Sequence, residues 1–255
     1  MTEIIHKGKK DKLNYHVCKD RDVMGKLSAD FAIKEIKRLL TEKEEVRIVF
    51  ASAPSQNEVL HYLTMNNEID WSRIVGFHMD EYIGLPKDSD QWFKLYLEEH
   101  IVDKVNMKEF HFINGLADSP EEEVRRYTQL LNEEPIDLVC LGIGENGHIA
   151  FNDPPVADFN DPNAVKIIEL DHVSRTQQVN DGCFSTLSEV PKHAITLTIP
   201  TLTSAGTLVC TVPGETKKEA VSNVLNQPIS TSCPATILRK HDHAQLILDT
   251  ESYGG

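Results

Sequence analysis

Residues 136–141, Ile-Asp-Leu-Val-Cys-Leu, are apolar at every position but Asp137, and Gly142-Ile143-Gly144-Glu145-Asn146-Gly147-His148 follows at once. A strand that is apolar on both faces has to be covered on both. Parallel sheets flanked by helices provide this cover, whereas half-solvated antiparallel sheets do not. The rest of the chain alternates accordingly. Met24, Leu27 and Phe31, then Ala32, Ile36, Leu39 and Leu40, recur mostly at three- and four-residue spacing and predict a helix. Residues 46–50 read as a strand, followed by Ala51-Ser52-Ala53-Pro54-Ser55 and a helix through Val59, Leu60 and Leu63. A strand over 73–78 runs into Met79-Asp80-Glu81-Tyr82. Helices are expected near 91–103, 119–133 and 215–225, and strands at 110–113, 165–170, 194–199, 207–212 and 244–248. The fold class implied is α/β, a parallel-rich sheet with helices on both faces and a ligand crevice at the carboxyl ends of its strands. No internal repeat, low-complexity segment or linker divides the chain, so residues 1–255 are expected to form a single domain.

Composition narrows the partners. The 255 residues carry 40 Asp and Glu against 26 Lys and Arg, a formal charge of −14, and 40% are apolar. That apolar content excludes a disordered polyanion. The acidic balance argues against nucleic acid, whose binding needs a basic surface to displace counterions. A small anion can still be held by a local cluster of cations and backbone N–H groups. The N-terminus has no apolar core of a secretory signal. Residues 193–214 lack Asp, Glu, Lys and Arg over a length that would span a bilayer. They contain six Thr and two Pro, and Ile195-Thr196-Leu197-Thr198-Ile199 alternates. This predicts two strands with a turn at Ser204-Ala205-Gly206 and no membrane partner. Five scattered cysteines without metal-ligand spacing fit a reduced, cytoplasmic protein whose thiols pack in the core. No metal and no cofactor are expected.

Three segments fall just past strand ends. Ala51-Ser52-Ala53-Pro54-Ser55 precedes a helix and suits either an anion such as phosphate or an ordinary N-cap by Ser52 or Ser55. His78-Met79-Asp80-Glu81-Tyr82-Ile83-Gly84-Leu85-Pro86 ends a buried strand with two carboxylates. One of them can serve as a general base with its pKa raised by burial or by the neighbouring acid; the alternative is a solvated acidic loop. A metal held by His78, Asp80 and Glu81 is disfavoured because adjacent positions point to different faces. Gly142 to Gly147 matches the GxGxxG of dinucleotide folds, with Glu169 and Asp171 near the ribose-acid spacing. That reading needs a helix to start at the loop, and Pro154 and Pro155 leave no room for one. The glycines instead let backbone approach a ligand and place His148 at the crevice. Asp153, five residues on, suits a hydrogen-bonded acid/base pair with it. His241-Asp242-His243 reads as a polar turn.

Taken together, HMDEYIGLP and LGIGENGHIAFNDP resemble the glucosamine-6-phosphate deaminase/isomerase family, with both motifs in order and similarity running from about residue 20 to 250. The related 6-phosphogluconolactonases typically continue the Gly-His loop as GHTASLFP, whereas this chain reads Gly147-His148-Ile149-Ala150-Phe151-Asn152. The resemblance implies a Rossmann-like α/β fold and conversion of glucosamine 6-phosphate, or galactosamine 6-phosphate, to the ketose 6-phosphate plus ammonia. It further implies Asp80 as the base that moves a proton from C2 to C1, and His148 as the residue that assists ring opening, oriented by Asn146 and Asp153. Ser52, Ala53, Gly144, Arg175 and Lys217 fall at substrate-binding positions, most of them phosphate-binding. Three departures stand out. Asn146 sits where many members carry Asp, and Asp153 where Glu is usual. The phosphate turn reads Ala-Ser-Ala-Pro in place of a Gly-Ser/Thr pattern. The alternatives are a non-catalytic sugar-phosphate sensor and a 6-phosphogluconolactonase. Oligomeric state is open, a homo-oligomer included.

Overall fold

The computed structural model describes residues 3–254. Its strands are β1 (Ile4–Lys10), β2 (Leu13–Cys18), β3 (Val46–Phe50), β4 (Ile74–His78), β5 (Asp80–Tyr82), β6 (Glu109–His111), β7 (Leu138–Leu141), β8 (Val165–Glu169), β9 (His193–Leu197), β10 (Thr207–Val212) and β11 (Ala244–Asp249). The helices are α1 (Arg21–Glu42), α2 (Asn57–Thr64), α3 (Phe93–His100), α4 (Pro120–Asn132), α5 (His172–Asn180), α6 (Ile199–Thr203), α7 (Lys218–Asn226) and α8 (Thr250–Tyr253). Eight strands form one sheet in the order β1-β2-β11-β10-β7-β3-β4-β6. Every pairing in it is parallel except the β1–β2 hairpin.

Alternation along the strands builds two cores. On β3, Val46, Ile48 and Phe50 join the cluster under α1, α2 and α3, while Val49 faces the other side. On β7, Leu138 and Cys140 face α1 and α2, and Val139 and Leu141 face α4 and α7. Burying each such side chain contributes about 1.5–3 kcal/mol, so the helices are held chiefly by this surface. Local chemistry sets their ends. The Asp20 carboxylate accepts from Val23 N at 2.9 Å to cap α1, and Ser119 caps α4 ahead of Pro120 and three glutamates. Gly25 lies directly against the Glu58 side chain, so α1 and α2 approach closely where any larger residue would collide.

The structure redraws several expectations. Residues 165–169 and 193–197 are strands but lie outside the large sheet. With residues 80–82, just past the expected strand over 73–78, they form a separate antiparallel sheet in the order β5-β9-β8. Residues 193–214 do hold two strands, but these belong to different sheets, and α6 precedes the turn at Ser204-Ala205-Gly206. The helix expected from 215 begins as a 3-10 turn, Glu215–Lys217. As expected from Pro154 and Pro155, no helix follows the glycine loop until α5. Among the described residues no helix is long and apolar enough to cross a membrane.

One side chain fixes the end of β4. Tyr127 of α4 is fully buried, and its hydroxyl lies 3.0 Å from His78 N and 2.8 Å from His78 O. His78 in turn accepts Ile113 N–H through Nε2 at 2.7 Å. Burial, with the Lys94 charge, pushes its pKa down to about 3, so the imidazole is a neutral hydrogen-bond acceptor within the fold. Tyr127→Phe strands the His78 N–H in an apolar interior and is expected to destabilise the fold by about 1–3 kcal/mol. Urea unfolding of the two proteins measures this.

Candidate active site

The chain reverses its direction of travel across the sheet between β3 and β7. From β3 it moves outward through β4 to β6, then returns to the other side of β3 as β7 and proceeds to β10 and β11. Connections leaving β3 and β7 therefore diverge and open a crevice at their carboxyl ends. A cavity of about 270 Å³ lies there, lined by the segments that follow β3, β4, β7 and β10.

After β3, the ladder ends with Ala51 N donating to Cys140 O at 3.0 Å. A 3-10 turn, Pro54–Gln56, then leads into α2, and neither it nor α2 has a side-chain cap. Ser52, expected either as a cap or as a ligand donor, is thus not a cap. Its buried hydroxyl has no protein partner among the described residues, and Ser52 and Ala53 both line the cavity. A buried hydroxyl left without a partner is costly unless something fills the site.

After β4, Asp80 lines the cavity and is buried. Burial first, and the adjacent Glu81 second, raise its pKa well above the ordinary aspartate value. Glu81 points elsewhere. It accepts from Tyr82 N, Phe93 N and Lys94 N at 2.9, 3.2 and 3.0 Å, holding the start of α3. Burial outweighs these bonds and pushes Glu81 up to about 7.

After β7, the glycine loop carries His148, which faces the cavity. Its Nδ1 lies 2.9 Å from Asn146 Oδ1 and 2.9 Å from Asp153 Oδ1. Asn146 Nδ2 donates to Asp153 Oδ1 at 2.8 Å, and Asn146 Oδ1 accepts His148 N–H at 3.0 Å. Both oxygens facing Nδ1 are acceptors, so Nδ1 carries a proton and the neutral tautomer they select has its lone pair on Nε2. Asp153, despite its shorter side chain, reaches the ring. Burial alone would raise its pKa, but His148 together with the Asn146 amide holds it below the ordinary carboxylate value. Gly144 lines the cavity, and a Cβ there would overlap the His148 imidazole. Its main effect is to leave room for that ring. Gly147 has φ +84°, a backbone open chiefly to glycine, and it abuts Cys233.

After β10, Lys217 lines the cavity at 7% exposure. Burial lowers its pKa, while the charges of Asp181 and Glu145 act the other way. The Asp249 carboxylate accepts Gly214 N–H at 2.9 Å and fixes this loop.

Arg175 is the sequence-derived residue that does not join the group. It sits on α5, outside the cavity lining, and its Nη2 donates to Leu187 O and Val190 O at 2.7 and 2.9 Å. Its guanidinium ties down the chain ahead of β9. Arg21, which sequence reasoning passed over, does line the cavity, as does Gln177 of α5, whose Oε1 accepts Glu145 N–H at 2.9 Å. In the sequence that region shows only the apolar spacing of Met24, Leu27 and Phe31, and a helical stripe gives no sign of a distant cleft. Among the described residues no cluster of three His, Cys, Asp or Glu could hold a metal.

Comparison with known proteins identifies the family to which the chain belongs. The family profile described as glucosamine-6-phosphate isomerases/6-phosphogluconolactonase matches residues 19–248. Glucosamine-6-phosphate deaminases of Bacillus thuringiensis (strain Al Hakam) and Bacillus cereus (strain B4264) are each 35% identical over 225 residues, covering 88% of this chain and 83% of theirs. A solved monomeric glucosamine-6-phosphate deaminase is similar with TM-score 0.84 at 27% identity, over 95% of this chain and 99% of its own. A 6-phosphogluconolactonase from Thermotoga maritima shares the fold at TM-score 0.77 and 19% identity, over 93% of this chain and 100% of its own. The chain belongs to the glucosamine-6-phosphate isomerase/6-phosphogluconolactonase family of enzymes.

Proposed function

We propose that this protein converts an amino-sugar 6-phosphate, glucosamine 6-phosphate or its galacto epimer, to the ketose 6-phosphate and ammonia. The observation that carries the reading is the meeting of Asp80 and His148 in one cavity with Ser52 and Lys217. His148 Nε2 takes the C1 hydroxyl proton of the closed sugar and returns it to the ring oxygen as the C1–O bond to the ring breaks. The Asp80 carboxylate takes the C2 proton and delivers it to C1, while the C1 carbonyl oxygen gains a proton and the C2 ammonium gives one up, leaving an imine at C2 and a hydroxyl at C1. Water adds there and ammonia leaves, so atoms balance without a redox partner. A carboxylate whose pKa is raised by desolvation is a stronger base for this transfer than one in water. Ser52 and Lys217 hold the phosphate, and fixing it orients C1 and C2 between the two proton-moving groups.

Incubation of the protein with each epimer, assayed for ammonia and ketose phosphate, tests the reading. Product from at least one is expected, and Asp80→Asn is expected to lose about 10²-fold or more in kcat while still binding substrate. No product from either at high enzyme concentration refutes the proposal. Lactone hydrolysis that survives Asp80→Asn would place the protein with the lactonases instead.

The acid limb of kcat/KM reports the ionisation of Asp80, because only the carboxylate accepts the C2 proton. Burial and Glu81 both raise that pKa, so the limb is expected above the usual aspartate range. Glu81→Gln removes one of the raising charges and moves the limb to lower pH. A pH–rate profile of both proteins shows the direction.

Asn146→Asp is expected to lower kcat/KM by about tenfold, although it restores the residue usual in relatives. The new carboxylate would face Asp153 Oδ1 across a contact that is now a 2.8 Å donation from the amide. Steady-state kinetics of the variant check this.

A further inference from the structure

The cavity presents two Lys or Arg side chains, Arg21 and Lys217, against Asp80, Asp181 and Glu215. A phosphate dianion brought into that surrounding needs more than one cation, and Arg175 is engaged elsewhere by Leu187 O and Val190 O. Arg21 stands at the first turn of α1, and its Nη2 donates to Pro54 O, in the same turn that carries the unpartnered Ser52 hydroxyl. Its Nε donates to Glu58 Oε1 at 2.8 Å. A guanidinium has five N–H groups. These two bonds orient the plane and leave the other donors free among the described residues, including both on Nη1. The close packing of α1 on α2 at Gly25 keeps this anchor next to the turn.

We propose that Arg21 is the second cationic ligand of the phosphate, paired with Lys217 across the Ser52 turn. The inference rests on the proposed reading of the site for the identity of the substrate, but phosphate binding by itself tests it. Glu58 acts as the positioning residue, holding the fork so that its free edge faces the ligand. A planar fork of this kind binds two phosphate oxygens at once, which an ammonium cannot do.

The test uses fructose 6-phosphate and, separately, inorganic phosphate as probes. The intact wild-type protein is treated with phenylglyoxal with and without each probe, and modified arginines are mapped by peptide mass spectrometry. Arg21 is expected to react in the free protein and to be protected by either probe, while Arg175 shows the same reactivity in all arms. Calorimetric titration of Arg21→Gln with fructose 6-phosphate is expected to show binding weakened by about tenfold or more, with Arg21→Lys recovering only part of it. Equal modification of Arg21 with and without both probes overturns the proposal. So does protection of Arg175 in its place, or a folded Arg21→Gln that binds within twofold of wild type. If Arg21→Gln does not fold, the wild-type footprint decides. Protection of Arg21 by inorganic phosphate in a protein that turns over neither amino-sugar phosphate would refute the deaminase reading and leave the Arg21 ligand standing.

Discussion

The last hydrogen bond between β3 and β7, from Ala51 N to Cys140 O, is where the two central strands part. Beyond it their connections run to opposite faces of the sheet, and no neighbouring strand remains to occupy their polar groups. The segments around the site take up the consequences. A turn with an uncapped start, a glycine loop folded back on its own histidine, and a lysine driven into a crevice all lie at that divergence. The sheet is thus at once the stabilising core and the reason a cavity opens beside it. Asp80 feels both. It follows a strand buried on both faces, yet it opens on the cavity, and that position makes its ionisation costly without making it inaccessible.

Much of this was legible from residue pattern. Strands 46–50 and 207–212 fall where apolar runs predicted them, because burial on both faces of a parallel sheet leaves a nearly unbroken apolar signature. Residues 165–170 and 194–199 also read as strands, but they stand outside the large parallel sheet. Alternation reports which face of a strand is covered but says nothing about which strands it pairs with, and here the partners form a second, antiparallel sheet. α5 went unseen because His172–Asn180 is polar almost throughout and presents no apolar stripe. The N-terminal hairpin was missed for a related reason, since β1 is an exposed, lysine-rich edge strand. Such an edge resists pairing with other chains, and it carries little of the hydrophobic signal by which strands are recognised.

The cavity residues divide in the same way. Asp80, His148, Asn146 and Asp153 sit in two short, local motifs, and local sequence determines their geometry. The cationic end depends on contacts between segments far apart in the chain. Arg21 reaches the cavity only because α1 packs on α2, and Arg175 is turned away only because residues 187 and 190 offer it carbonyls. Asn146 illustrates how a departure from a motif is resolved by its surroundings. Its amide cannot supply an anion to the imidazole, but it donates to Asp153 and so steadies the carboxylate that does.

Gly25 shows how far a single hydrogen can act. With no side chain to interpose, the α1 backbone rests on Glu58, and the first turn of α1 is lowered toward the mouth of the cleft. The depth of the cavity on that side is therefore set by an interhelical distance, in a part of the molecule that takes no part in bond making. Evolution could widen or narrow the pocket by exchanging small residues at this crossing while leaving every reacting group in place.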